Sequence, residues 1–198
     1  MSIRRFAPAL GFVTCLLLWS CHSIVAPAVR PFATGEDWVL LEPLRYQLGN
    51  TKYIITVPAG FITDYASVPR CFCAILPVHG RYDSAAIVHD FLYWDQTCTR
   101  EQSDAILRAA MIESRVNPLS VEAIFQGVHI GGQKAWDQNA ADRLTGLIRV
   151  LPLEFRQLPS GVTWPDYRRS LQVRLAQEPA YDHPTASACT VGASLFSQ

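Results

Sequence analysis

A histidine, a tyrosine and an aspartate are spaced so that they could form one acid–base site. His89 and Tyr93 are four residues apart in an apolar stretch, so on a helix they share one face. Asp104, with Leu107 and Met111, has the i, i+3, i+7 spacing of an inward helical face. Two helices joined by a short connection are antiparallel. Two residues that are equally far in sequence from the middle of that connection, one on each helix, then lie opposite each other. The spacing therefore predicts Asp104 opposite His89.

An imidazole opposite a carboxylate can act as a general base. A hydrogen bond to Asp104 would fix the tautomer of His89 and leave its second ring nitrogen available to accept a proton from water or a hydroxyl. Asp90, about 100° around the helix from His89, could hold a cation such as Ca²⁺, or a substrate. The alternative hypothesis is structural, because a buried His–Asp pair between two helices can serve only to fix their register.

The loop that precedes this helix carries an acid, a hydroxyl and basic side chains. Asp64 is a second candidate metal ligand, or a cap of the loop backbone. Arg70 and Arg81 are candidate substrate-binding residues that would bind an anion, or partners of Asp64. Ser67 is a poor candidate nucleophile, because no G-x-S-x-G sequence surrounds it. For each of these residues the alternative is a structural role in the loop.

A strand-rich segment followed by helices must position these residues. Residues 37–61 contain branched, aromatic and alternating apolar side chains around a Gly-Asn turn, a pattern typical of a β-hairpin. Three helix starts follow, with Asp83 as a candidate N-cap, a capping box from Thr99 to Gln102, and Asn117 before Pro118. We predict an α+β fold in which a small antiparallel sheet, about residues 37–61, packs on a bundle of about three helices.

Composition and the N-terminus bound the organisation of the chain. Its 198 residues are 49% hydrophobic and 17% charged, with a formal net charge of zero. These values exclude a disordered chain and provide no basic field for a nucleic-acid partner. Residues 1–28 have the basic start, apolar run and small residues of a secretory signal. We expect a core domain over 29–136, a C-terminal helical extension over 137–185 and a flexible tail over 186–198.

Two cleavage sites are compatible with this signal. Cleavage before Cys21, in a sequence that resembles a bacterial lipoprotein box, would leave a lipidated cysteine that anchors the protein to the membrane of the cell envelope. Cleavage after Ala28 would release a secreted protein, and an uncleaved anchor is the third alternative. Each places the domain outside the cytoplasm. The sequence identifies no protein partner.

Four cysteines lie outside the signal: Cys71, Cys73, Cys98 and Cys189. In an oxidising compartment they can form disulfides, but Cys71 and Cys73 are too close in the chain to bond comfortably to each other. We predict a bond between Cys98 and one of these two, with Cys189 in the tail.

Two motifs of the chain resemble the domain-of-unknown-function family 1353, which occurs in phages and bacteria. The first runs from Val57 to Arg70 and the second from Ala85 to Tyr93, with Pro77 and Gly80 between them. The resemblance covers about residues 37–135. The resemblance implies a fold related to that of the family, but it implies no established activity.

A shorter resemblance implies a mechanism. The His89-Asp90-x-x-Tyr93 motif with a later Asp104 is similar to the His-Asp-x-x-Tyr helix of the calcium-dependent secreted phospholipases of the A-two class. It implies His89 as the base, Asp90 as a Ca²⁺ ligand, Asp104 as the group that orients His89, and Tyr93 as the support of that carboxylate. The chain departs from that family because residues 61–70 contain no glycine-rich calcium loop and the cysteines of the family's helix are absent.

The leading hypothesis is an envelope-facing hydrolase that uses His89 with Asp104, with Ca²⁺ as a candidate cofactor, on a lipid or other cell-envelope ester. The alternative is a non-enzymatic accessory protein, of phage or envelope origin, in which the pair is structural. The hydrolase requires His89, Asp90 and Asp104 to converge on an open cleft. A pair that is sealed in the core would favour the accessory protein.

Overall fold

A computed structural model describes residues 26–65 and 82–196 of the chain. Five strands precede six helices in these ranges, so the fold is α+β, as predicted. The strands are β1 (Val29–Pro31), β2 (Trp38–Leu40), β3 (Leu44–Gln47), β4 (Ile54–Val57) and β5 (Ile62–Thr63). The helices are α1 (Asp83–Asp95), α2 (Arg100–Glu113), α3 (Pro118–Gly131), α4 (Gln133–Leu144), α5 (Trp164–Val173) and α6 (Ala186–Ser194). Within the described ranges, no helix combines the length and the apolar character needed to cross a bilayer.

The strands form two small antiparallel sheets. In the first sheet β2 lies between β1 and β5, and Val39 is opposite Arg30 on one side and Ile62 on the other. In the second sheet β3 and β4 form the predicted hairpin, with Leu44 opposite Val57. Pro43, which has no N–H to donate to a ladder, lies in the connection between β2 of the first sheet and β3 of the second.

Two helices begin at the predicted capping signals and one does not. Thr99 and Gln102 form the reciprocal capping box at the start of α2. The side chain of Asn117 accepts a hydrogen bond from the backbone of Leu119 at the start of α3. Asp83, however, is the first residue of α1 rather than its cap. Its carboxylate lies in the first turn, where it interacts favourably with the helix dipole.

Helix α1 is the central element of the fold. It packs against α2, α4 and strands β3, β4 and β5, and every residue from Ala85 to Asp95 is buried. Helix α2 packs in turn against α3 and α6, so α1, α2 and α3 correspond to the predicted bundle. Since all faces of α1 are covered, its polar residues His89, Asp90 and Asp95 must find partners inside the fold.

The C-terminal third contains more helix than the sequence indicated. Helix α4 was not singled out from the sequence; it begins before residue 137 and continues into the helical extension expected over 137–185, which also contains α5. Helix α6 (Ala186–Ser194) lies within the segment over 186–198 that was expected to be a flexible tail, and it packs on α2. Its small residues permit a close approach, since a Cβ at Gly192 would lie 2.8 Å from a side-chain carbon of Ile106.

A disulfide ties α6 to the helical bundle. Cys98, in the connection between α1 and α2, is bonded to Cys189 of α6, and their Cα atoms are 5.2 Å apart. The prediction that Cys98 bonds to Cys71 or Cys73 is therefore wrong; those two cysteines lie outside the described residues. The true partner is 91 residues away along the chain. The pairing depends on where α6 packs, which cysteine spacing does not indicate.

We predict that Cys189→Ala lowers the free energy of unfolding by about 2–4 kcal/mol, because the bond restricts the unfolded chain over a long loop. Cys98→Ala and the double variant should lose a similar amount, since all three remove the same bond. Denaturant unfolding of the four proteins measures this. Recovery of Cys98 as a free thiol from the oxidised protein would contradict the pairing.

Candidate functional site

A buried polar cluster forms around the carboxylate of Asp104, which is inaccessible to solvent. Its Oδ1 accepts a hydrogen bond from the Tyr93 hydroxyl at 2.6 Å and lies 3.0 Å from Nε2 of His89. Its Oδ2 accepts from Arg100 Nη1 at 3.1 Å and lies 3.5 Å from Nδ1 of His129. The cluster thus brings together α1, α2 and α3, with the opposite-charge partner that a buried carboxylate requires. The predicted juxtaposition of His89 and Asp104 is present.

The two ring nitrogens of His89 are in different situations. Nε2 faces Asp104, whereas Nδ1 is buried and has no hydrogen-bond partner among the described residues. Because the Asp104 carboxylate is an acceptor, we assign the proton of the neutral imidazole to Nε2, which leaves Nδ1 as an acceptor. A buried acceptor without a partner costs about 1–3 kcal/mol. A water molecule or a ligand that donates to Nδ1 would remove that cost.

Tyr93 supports Asp104 as a neutral donor. Burial raises the pKa of Tyr93, and its hydrogen bond to Asp104 raises that pKa further. The ring packs edge-on against Trp136 at 5.2 Å between centroids. The hydroxyl lies so close to Gly132 that a Cβ there would collide with it and would lie 2.5 Å from the carbonyl oxygen of Val128. Only glycine at the junction of α3 and α4 allows this approach.

A cavity of about 610 Å³ lies beside His89. Its volume falls within the roughly 300–1,000 Å³ of small-molecule sites. His89, Asp90 and Tyr93 of α1 line it together with Asp64, so four of the predicted site residues meet at one cavity. Asp104 lies behind His89 and is not part of the lining. The predicted substrate-binding residues Arg70 and Arg81, and the lipidation site Cys21, lie outside the described residues.

The two candidate metal ligands have partners from the protein. Asp90 accepts a hydrogen bond from the Thr63 hydroxyl at 2.5 Å, and Asp64 pairs with Nη2 of Arg149 at 3.2 Å. Calcium takes about 6–8 oxygen ligands. In residues 26–65 and 82–196 no group of three or more His, Cys, Asp or Glu side chains is placed to hold a metal ion. Calcium binding by Asp64 and Asp90 stays a prediction, because backbone carbonyl oxygens and waters also serve as calcium ligands.

Arg149 is a residue of the cavity that the sequence did not single out. Its Nε donates to the carbonyl of Ile62 at 2.8 Å, Nη1 to the Asn139 side chain at 3.2 Å, and Nη2 to Asp64. The guanidinium lies 5.5 Å from the ring centroid of Phe61. One signal could have found it, because Arg149 is a charged residue inside the apolar run from Leu147 to Leu151.

The charges of Asp64 and Arg149 act on a third nearby group. Burial raises the pKa of Asp37 to about 6, Asp64 raises it as well, and Arg149 lowers it. The carboxylates of Asp37 and Asp64 and the guanidinium of Arg149 are therefore electrostatically coupled.

A second His–Asp pair lies elsewhere in the fold. Nδ1 of His183 is 2.5 Å from Oδ2 of Asp95, and the His183 side chain is 57% exposed. Neither residue lines the cavity beside His89. This pair fastens the chain before α6 to the end of α1, and it offers a natural comparison for the pair at Asp104.

We predict that Gly132→Ala lowers the free energy of unfolding by about 1–3 kcal/mol, because the new methyl must displace the Tyr93 hydroxyl or the α3 backbone. Gly131→Ala is the matched control, since nothing lies within 4 Å of a Cβ there. That variant should be neutral, or more stable by up to about 1 kcal/mol. Denaturant unfolding separates the two, and equal effects would contradict the close approach.

Comparison with known proteins relates part of the chain to a family. No curated protein and no solved structure matches the chain. The segment from β2 into α3 does match a family model, and it contains Asp64, His89, Asp90, Tyr93 and Asp104 but not Arg149. Residues 38–128 match the family described as "Protein of unknown function (DUF1353)", which confirms the resemblance seen in the two motifs.

Proposed function

We propose that the protein is a hydrolase in which His89 acts as the general base on a lipid or other cell-envelope ester. One observation carries the proposal: Nδ1 of His89 has no partner in the described part of the chain, while Nε2 is held by Asp104 and the residue lines a cavity. An imidazole held in this way by a carboxylate is oriented for proton transfer, and the acceptor nitrogen is the one that is not engaged.

The proposed reaction is the addition of water to an ester. Nδ1 of His89 takes a proton from water as the water oxygen bonds to the carbonyl carbon, and the carbonyl π pair moves to its oxygen. When this intermediate collapses, the bond to the leaving alkoxy group breaks, and that group takes the proton from His89. Asp104 stays ionised throughout and stabilises the imidazolium. Tyr93 and Arg100 keep the carboxylate in place.

The walls of the cavity suit a substrate with one apolar and one polar part. Gly127, Val128 and Ala135 from α3 and α4 form an apolar side that an acyl chain could contact. Asp64 and Arg149 form a charged side. Calcium belongs to the proposal as a candidate cofactor to be tested by addition and chelation, and no step above is assigned to it.

The alternative function is a non-enzymatic accessory role, in an envelope or phage context. The observation that favours it is the burial of the pair, since Asp104 is 0% and His89 only 4% exposed. In that case the pair serves to hold α1 against α2. Its variants would then lose stability without any loss of a specific activity.

We predict that Asp104→Asn and His89→Gln each lower turnover by about 10²–10⁴-fold, the usual contribution of general-base assistance. The substrates for the screen are phospholipid vesicles, peptidoglycan fragments and short-chain esters, each with added Ca²⁺ and with a chelator. Thermal unfolding of the same samples corrects each turnover for the folded fraction.

His183→Gln is the matched control for this experiment, because it removes a His–Asp pair whose histidine is exposed and which does not line the cavity. Its turnover should stay within about threefold of the unaltered protein, since it leaves general-base assistance intact. Full activity per folded molecule in His89→Gln would reject the hydrolase. Lower stability of that variant, with no substrate hydrolysed by the unaltered protein, would favour the accessory role.

We also propose that the protein is exported and anchored through Cys21. The support is the signal-like N-terminal sequence together with the Cys98–Cys189 disulfide, a bond typical of proteins in oxidising compartments. The anchored domain would face the periplasm or the exterior. Secretion after cleavage at Ala28 is the alternative.

We predict that cells fed a fatty-acid analogue label the protein at Cys21, and that Cys21→Ser removes the label and releases the protein from the membrane fraction. One acyl group gives weak attachment, so retention should depend on the complete lipid modification. Cys15→Ser, within the apolar run of the signal, is the control and should keep the label. Unchanged labelling in Cys21→Ser would make cleavage after Ala28 the preferred alternative.

A further inference from the structure

The guanidinium of Arg149 is fixed in place with donors to spare. Three groups hold it: the backbone of Ile62 in β5, Asp64 just after that strand, and Asn139 of α4. A guanidinium has five N–H groups. These contacts use three, so Nη1 and Nη2 each keep one N–H that no hydrogen bond in the described part of the chain uses.

Asn139 links this guanidinium to the helix that carries His89. The Asn139 side chain is buried, and its Nδ2 donates to the carbonyl of Tyr93 at 3.2 Å while its Oδ1 accepts from Arg149. Arg149 and His89 also line the same cavity. The Asn139 amide therefore ties the guanidinium of Arg149 to the backbone of α1.

The proposed reaction needs a donor at this cavity. Addition of water to an ester turns the carbonyl oxygen into an oxyanion, and fixed donors aimed at that oxygen are a large contribution to catalysis of acyl transfer. Among the described lining residues the cations are Arg149 and Lys134. Lys134 is exposed, whereas the Arg149 side chain is only 16% exposed and held by three groups. Arg149 is thus the lining cation whose position is already fixed before a substrate binds.

We infer that Arg149 forms an oxyanion-binding site beside His89, in which its remaining N–H groups bind the carbonyl oxygen of an ester as that oxygen becomes anionic. This inference rests on the proposed hydrolase function and names the group that binds the reacting oxygen.

The ion pair with Asp64 fits this role. A fully uncompensated arginine would also bind the carboxylate product and slow its release. With Asp64 at 3.2 Å from Nη2, part of the positive charge is already balanced in the resting protein. Catalysis requires tighter binding of the transition state than of substrate or product. A guanidinium that is fixed in place, and whose charge is partly balanced by Asp64, meets that requirement better than a mobile arginine with no ion pair.

The test is Arg149→Ala, on the ester that the unaltered protein hydrolyses. Its kcat should fall by about 10²–10³-fold with KM changed much less, as for the loss of one oxyanion donor. Added guanidinium chloride at millimolar concentration should restore part of kcat, and an equal concentration of NaCl should not. His89→Gln should not respond to guanidinium. A kcat within about threefold of the unaltered protein would overturn the inference.

Arg168→Ala is the matched control. Arg168 also donates to a backbone carbonyl, that of Ile148, and pairs with an aspartate, Asp142, but it does not line the cavity. This variant should keep its kcat and show no response to guanidinium. Thermal unfolding reports the folded fraction of each variant.

If Arg149→Ala does not fold, Arg149→Lys decides the question. A lysine keeps the charge but cannot hold three protein groups and donate to the oxyanion, so kcat should still fall at least tenfold. A smaller loss would overturn the inference. Failure of the proposed function is distinct, because it would appear as full activity in His89→Gln, whatever the result at Arg149.

Discussion

A carboxylate that has no contact with water must have its charge balanced and its oxygens hydrogen-bonded, and Asp104 imposes this condition on the fold. Transfer of such a group into the interior costs several kcal/mol unless its partners are well placed. His89 and Tyr93 of α1 and Arg100 of α2 provide those partners. The relative positions of α1 and α2 are therefore restricted to those that keep these contacts.

The same cluster fixes the third helix and, through it, one wall of the cavity. Arg100 donates both to Asp104 and to the carbonyl of His129 at 2.9 Å, which fastens the C-terminal turn of α3. Gly132 follows that turn directly and lies against the Tyr93 hydroxyl. The cavity is bounded by the ends of α3 and α4 at this point. The shape of the cavity thus depends on the Asp104 carboxylate, although Asp104 does not line the cavity.

Two of the residues that line the cavity, Asn139 and Arg149, come from outside the segment that matches the family. Asn139 and Arg149 both follow residue 128, where the match ends. Glu178 in turn accepts from the backbone N–H of Arg149 at 2.5 Å and from the indole of Trp94 at 3.2 Å, so the later chain holds Arg149 against α1. The matched segment carries the proposed base, and the C-terminal part completes the site around it.

Short-range features of the fold and site were predictable, because local spacing determines them. The pairing of His89 with Asp104 spans 15 residues and follows from two helical periodicities and a short connection. Contacts such as Cys98–Cys189, 91 residues apart, and Asp64–Arg149, 85 apart, depend on how the elements pack. Helix α4 was missed because its sequence is largely polar and lacks an apolar stripe.

A structural role of Asp104 and a catalytic role of His89 concern different atoms. The structural requirement is met at Nε2, which satisfies one oxygen of the carboxylate. Nothing in that requirement calls for a second ring nitrogen, which is buried and has no partner among the described residues. A side chain with a single donor would hold Asp104 without the cost of an unsatisfied acceptor. A role in fixing the register of the helices therefore accounts for the contact of Nε2 with Asp104, but it does not account for the unpartnered Nδ1. A proton acceptor beside a cavity needs both: one ring nitrogen held by a carboxylate and the other left to accept a proton.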